Sequence, residues 1–262
     1  MEVALAKLKV MCARSMHVAV KALGQAFAGQ GGHTVEFEFG TVGGLQAKLD
    51  AGETADVLIL SVPAIDKLEQ AGLLAPDIGE PTGPAQLGRP DDRLRDAVLR
   101  TAMRRDVART FIAVCIRQGA PPPDIATPEA FKQTLVKARA IAFSDAAVGG
   151  SAGVYLVGMF ERMRLTAMIR EKGLPQQTGA EVARRVVEGK AEIGLTLSGE
   201  VASVDGAVIA GPLPKPLGQD TIYCAAVMAG STAKEAGAAF IAALTGTQTR
   251  ETWKRAGFEL PR

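Results

Sequence analysis

A chain of 262 residues is long enough for one large or two modest domains, each with its own core. Its formal net charge of +2 gives no general attraction to nucleic acid or to an anionic membrane surface, and no apolar run approaches the roughly 20 residues that span a bilayer. Three widely spaced cysteines do not make a disulfide framework, and two histidines without a neighbouring Cys/His cluster argue against zinc, so neither a metal nor a cofactor is expected.

At the N-terminus Glu2, Lys7 and Lys9 interrupt the apolar run that a secretory signal requires. The chain as it stands is expected in the cytoplasm, or in the periplasm if a signal has been removed. Short apolar runs rich in β-branched residues then alternate with amphipathic stretches, which predicts an α/β fold with mainly parallel strands. Residues 8–12 read as a strand and 15–28 as a helix with Ala19, Ala22, Leu23, Ala26 and Phe27 on one side. Residues 34–39 are a strand, 44–51 a short helix, 57–60 a strand and 63–71 a helix stopped at Gly72.

Residues 79–89, rich in Gly and Pro, read as a loop, and 91–105 as a charged helix. The arginines and aspartates of 89–109 mark a solvated face. A long apolar strand is expected at 107–116, and a Pro-rich loop at 119–128. Thr127 before Pro128 has the form of a helix start. Strands are expected at 138–143, 193–197 and 222–228, and helices at 152–164, 179–188, 232–245 and 249–257. Trp253 is expected in the core, and Asp56 as a structural residue.

The runs 107–116 and 222–228 are placed to cross between two units, and two crossings make a hinge with a cleft. The expected organisation is a discontinuous lobe of 1–110 plus 225–262 and a second lobe of 111–224.

Three times a strand runs into a loop of small or hydroxyl residues that opens a helix. The loops are Cys12-Ala13-Arg14-Ser15-Met16, Phe39-Gly40-Thr41-Val42-Gly43-Gly44, and the stretch from Ser144 to Gly153. Ligands of open α/β sheets sit at the carboxyl ends of strands, where helix N-termini present free N–H groups and partial positive charge. Several such ends converging would hold an oxyanion without metal. Ser15, Thr41 and Ser151 are equally suited to capping their helices. The run Gly149-Gly150-Ser151-Ala152-Gly153 lacks the spacing of a dinucleotide fingerprint.

At these residues the chain resembles the periplasmic molybdate-binding proteins and their wider type II solute-binding relatives, over almost its whole length. The likeness rests on the first strand with ARSM, on GTVGGLQAKLDAGETADVLILS, GGSAGVYL, VVEGKAEIGLTLSGEV, Ile222-Tyr223-Cys224-Ala225-Ala226-Val227, and FIAALTGTQTRETWKRAGF. It implies a periplasmic binding protein type II fold, two lobes each with a mostly parallel sheet, two crossing segments and a cleft between them. It also implies that an oxyanion is held at Ser15, at Thr41, Val42 and Gly43, at Ser151, Ala152 and Gly153, at Thr196 and at Tyr223.

Two departures bear on the ligand. The molybdate binders carry no formal charge beside the first serine, where this chain has Arg14, and their second loop is serine-rich where this one reads GTVGG. A guanidinium is a planar fork of donors matched to carboxylate. The expectation is therefore a substrate-binding protein that closes over a small organic di- or tricarboxylate, with Arg14 among its contacts. An ABC transporter permease would be its partner if the chain is exported, and neither nucleic acid nor membrane insertion is expected.

Two alternatives stay open. Some relatives of this kind act as aconitate isomerases, moving a proton within a tricarboxylate, and a base would then have to come from Tyr223, His17 (otherwise a surface residue) or an unplaced carboxylate. A molybdate- or tungstate-binding transport protein is the other. A cytoplasmic sensor of the same fold finds no helix-turn-helix segment to carry a DNA output.

Overall fold

The computed structural model describes residues 6–75, 103–148 and 150–261. The expected loop at 79–89 and nearly all of the expected helix at 91–105 lie outside the described residues. Arg104 and Arg105, the end of that helix reading, are in a strand.

Strands β1 (Lys7–Ala13) and β2 (Thr34–Gly40) flank helix α1 (His17–Gly31), which a short 3-10 turn, Arg14–Met16, joins to β1. Helix α2 (Val42–Asp50), strand β3 (Val57–Ser61) and helix α3 (Val62–Gln70) follow. Then come β4 (Arg104–Arg117), α4 (Pro128–Lys137), β5 (Ile141–Ser144), α5 (Ser151–Arg162), α6 (Thr166–Lys172) and β6 (Gly173–Gln176). Helix α7 (Gly179–Val187), β7 (Ile193–Leu197), α8 (Ser198–Ala202), β8 (Ala207–Pro212), β9 (Asp220–Val227), α9 (Lys234–Thr245) and α10 (Arg250–Arg255) complete the order.

The strands hydrogen-bond in the order β2-β1-β3-β9-β4-β7-β5-β6, with β8 also on β4. Strand β4 lies inside this path and joins its two halves. Its residues 104–111 pair antiparallel with β9, and 112–117 pair with β7 and β8. The apolar cores divide at the same place. Leu8, Val10, Val57, Val107, Phe240 and Trp253 pack in one cluster, while Ile112, Val114, Phe131, Leu156 and Leu195 pack in another.

Alternation along β1 builds the first core on both faces of its sheet. Leu8, Val10 and Cys12 point to one side and Met11 to the other, where Leu45, Leu58, Leu60 and Ile65 receive it. The long strand expected at 107–116 is thus a crossing between two cores. The run 222–228 is not. Among the described residues, strand β9 pairs with β3 and the first part of β4 and with no other strand, so the chain returns to the first half between β8 and β9, in residues 213–219. An apolar run reports burial and leaves its pairing partners undetermined.

Local signals fix the helix ends. Thr127 caps α4, its Oγ1 accepting from the Ala130 amide at 3.1 Å. Thr178 and Glu181 form a reciprocal capping box at the start of α7, and Val182, Ala183 and Val186 bury that helix's apolar face. Asp56 accepts from the Lys9 amide at 2.8 Å and from Ser231 Oγ at 2.6 Å, a structural role as its position suggests. Trp253 is fully buried and donates to the Leu244 carbonyl at 2.9 Å.

Candidate ligand-binding cleft

Parallel strands β1 and β2 in the first half, and β5 and β7 in the second, end on one cavity of about 250 Å³. Its walls include Arg14, Ser15, Thr41, Val42, Ser151, Ala152, Thr196 and Tyr223. These residues come from both halves, so eight of the ten sequence-expected positions meet in one place. Gly43 and Gly153 do not. One residue further along a helix turns the chain by about 100°, since 3.6 residues make a turn. Gly43 therefore faces solvent. Gly153 packs on the backbone of residues 145–146, where an added Cβ would lie 2.4 Å from the Asp145 carbonyl oxygen.

The hydroxyls serve different ends. Ser15 caps no helix; its Oγ and Tyr223 Oη share a buried hydrogen bond of 2.9 Å. Burial pushes the Tyr223 phenol above its ordinary range, against the Ser15 hydrogen bond that favours its ionised form. Thr41 does cap its helix, accepting from the Gly44 amide at 3.0 Å. Gly150, not Ser151, takes the capping position of α5, so the Ser151 hydroxyl is not used as a cap. Thr196 Oγ1 is 2.9 Å from Ser144 Oγ. The first turns of α2, α5 and α7 border the cavity and bring their positive dipole ends to it.

Ser144 and Asp145, in the third of the expected loops, also line the wall, while Gln177, Thr178, Gly179 and Glu200 escaped the sequence reading. Gln177 and Thr178 had a signal, since T-x-x-E at 178–181 is a capping box that announces a helix N-terminus after a strand. Asp145 is occupied locally, Oδ1 accepting from the Ala147 amide at 3.0 Å.

Glu200 is the residue with most chemical content. It sits on α8, a turn and a half of helix clasped by the first half of the molecule. Ser198 Oγ is 2.8 Å from Thr110 Oγ1 and donates to the Gly257 carbonyl at 2.5 Å. Gly199 comes so near the turn after β1 that a Cβ would lie 2.8 Å from the Ser15 carbonyl. This contact carries Glu200 across to Arg14 and His17. Its side chain is 8% exposed. Burial raises its carboxyl above the usual carboxylate range, while the charges of His17, Arg14 and Arg184 and the Ala180 amide pull it back.

Glu200, Arg14 and Thr178 also border a second, more open cavity of about 480 Å³ that His17, Phe39 and Arg184 help to line. The Arg14 guanidinium forms no ion pair within 4 Å with another described residue, and its side chain is exposed at the mouth shared by the two spaces. His17, expected on the surface, is half-buried, its Nδ1 3.0 Å from the Arg14 carbonyl.

Comparisons with known proteins bear on the family and the fold. An aconitate isomerase from Pseudomonas sp is 32% identical over 216 residues, which is 81% of this chain and 70% of that one. The periplasmic molybdate-binding protein of Azotobacter vinelandii superposes with a TM-score of 0.68 over 97% of this chain and 100% of its own, at 17% identity. The sulfate-binding protein SubI of Mycobacterium tuberculosis does so with a TM-score of 0.66, over 97% of this chain and 87% of its own, at 18% identity. These two share the type II periplasmic binding fold with the chain. The model of the bacterial extracellular solute-binding protein family matches residues 8–259, and the chain belongs to that family.

Proposed function

We propose that this chain binds a small organic acid with two or three carboxylates in the cleft, and that the two halves close over it about β4 and residues 213–219. In this reading the first lobe boundary stays near 110–111 and the second, expected at 224–225, falls in 213–219, because β9 pairs with β3 and the first part of β4. A ligand that touches both walls favours the closed state by its extra contacts there.

The observation that carries the reading is Arg14. Its guanidinium forms no ion pair among the described residues, and the residue lines a cavity rich in hydroxyls and helix N-termini. Hydroxyls and amides alone suffice for a tetrahedral oxyanion. An added planar fork of donors suits a carboxylate. The volume agrees: about 250 Å³ is several times the share of one water, roughly 30 Å³, and leaves space around an ion of five heavy atoms.

A second reading, isomerisation of a tricarboxylate by proton movement, is favoured by Glu200. A buried carboxyl group with cations beside it can release a proton and take one up again, and such a group beside a bound ligand can move a proton within it. The name of the 32% identical relative supports the same chemistry. Molybdate or tungstate is the competing ligand class. As a transport receptor the chain would act in the periplasm and hand its ligand to an ABC transporter permease.

A thermal-shift panel tests the reading: molybdate, tungstate and sulfate against malate, citrate and the aconitates. A bound ligand raises the melting temperature by mass action. Di- or tricarboxylates are expected to raise it and the oxyanions to leave it in place. The reverse pattern would overturn the proposal.

A further inference from the structure

We propose that Glu200 is the acid–base residue of this cleft, exchanging a proton with a carbon of a bound unsaturated tricarboxylate whose charge Arg14 holds. The inference rests on the isomerase reading above and deepens it by naming the group that moves the proton.

Three features of the geometry point to this carboxyl. First, it lines both cavities, with Arg14 and Thr178, so a molecule reaching from one into the other lies beside these three residues. Second, the other two carboxylates that line these cavities each accept a hydrogen bond from the backbone of their own turn, Asp145 from the Ala147 amide and Glu181 from the Thr178 amide. Glu200 has the Ala180 amide and otherwise faces charges. Third, the groups around Glu200 come from four elements. They are Arg14 from the turn after β1, His17 from α1, Arg184 from α7 and Tyr223 from β9. Three of these are cations or can become one, and they lie where a substrate's own carboxylates would need partners.

The step balances without oxidant or reductant. In an unsaturated tricarboxylate the methylene next to the double bond is also next to a carboxylate. Glu200, ionised, removes one proton from that methylene; the C–H bond breaks and an O–H bond forms on Glu200. The electron pair becomes a new C=C bond, and the old π pair moves onto the far carbon and its carboxylate. Arg14 and the cleft amides stabilise that extra negative charge. Glu200 then returns the proton to the far carbon. The double bond has moved by one position and the composition is unchanged. Burial strengthens Glu200 as a base, because it raises the carboxyl toward the working pH.

The test follows deuterium. Wild type and Glu200→Gln are each incubated with cis- and with trans-aconitate in D₂O and read by proton NMR, with binding measured separately by calorimetry. Wild type is expected to exchange carbon-bound protons and interconvert the isomers. Glu200→Gln is expected to slow both by at least about 100-fold while binding within a few-fold of wild type. Glu200→Asp, with the carboxyl drawn back by one methylene, should retain part of the rate, and it carries the test if Glu200→Gln does not fold. Exchange by Glu200→Gln at the wild-type rate would overturn the inference. So would a wild type that binds aconitate and exchanges nothing, a result that leaves carboxylate binding standing. Absence of any carboxylate binding by wild type would remove the proposed function itself, and this inference with it.

Discussion

The hydroxyls of Ser15 and Tyr223 lie 2.9 Å apart, both buried, joining residues 208 positions apart in the sequence. One hydroxyl proton is used within the pair. In the proposed reading the other donates to the bound anion, which makes the pair a preorganised donor.

Loss of either oxygen leaves the other buried without its partner. Ser15→Ala and Tyr223→Phe are each expected to destabilise the fold by about 1–3 kcal/mol, and the double variant by less than the sum. Urea unfolding of the four proteins of this cycle measures the coupling. Strict additivity would show that the two hydroxyls do not depend on one another.

Arg14 separates the ligand classes. Charge-assisted hydrogen bonds contribute about 1.5–3 kcal/mol, so Arg14→Ala is expected to weaken a tricarboxylate by roughly ten- to a hundredfold. Arg14→Lys should restore only part, since an ammonium cannot present the paired fork. The side chain is exposed and forms no ion pair among the described residues, so both variants should melt near the wild-type temperature without ligand. Calorimetric titration checks the affinities.

The raised carboxyl of Glu200 has a stability consequence of fixed sign. A folded-state pKa above the unfolded one means that the folded protein holds the proton over a pH range where the unfolded chain has lost it. The contribution is therefore full below the ordinary glutamate range and is lost as pH rises through the folded value. Glu200→Gln, which cannot ionise, is expected to gain on wild type as pH rises from acid to neutral. Melting curves of the two proteins across that range measure the difference. Curves that stay parallel would show that Glu200 titrates alike in both states.

Gly179 opens α7 beside the cavity. A Cβ there would lie 2.2 Å from Thr196 Oγ1 and 2.6 Å from Glu200 Cγ, so Gly179→Ala must displace both. Overpacking of this kind costs about 1–3 kcal/mol. Ligand affinity should fall together with melting temperature, in contrast to Arg14→Ala, where affinity alone falls.

Most of the frame could be read because its strands are apolar runs of the right length, bounded by loop residues. Strand β7 matches its expected limits, and 57–60 and 107–116 differ from β3 and β4 only at their ends. Strands β6 and β8 escaped notice because they are short and carry Gly and Pro, Pro175 and Gly211-Pro212 among them. Helix α6 gave too short a pattern to distinguish from its neighbour α5. The cleft residues that follow β1 and β2 were visible from their strand–loop–helix pattern. Glu200 was not. It belongs to a five-residue helix, and it reaches the cleft through the packing of Ser198 and Gly199 against distant Thr110, Gly257 and Ser15. Sequence spacing carries no trace of such a contact.

The central claim, a cleft for an organic polycarboxylate built around Arg14, is tested most directly by calorimetric titration of the wild-type protein with trans-aconitate and, separately, with molybdate. Saturable binding of the tricarboxylate, lost or weakened at least tenfold in Arg14→Ala, and no heat from molybdate is the expected result. Saturable molybdate binding that Arg14→Ala leaves unchanged, with no response to the tricarboxylate, would contradict the account.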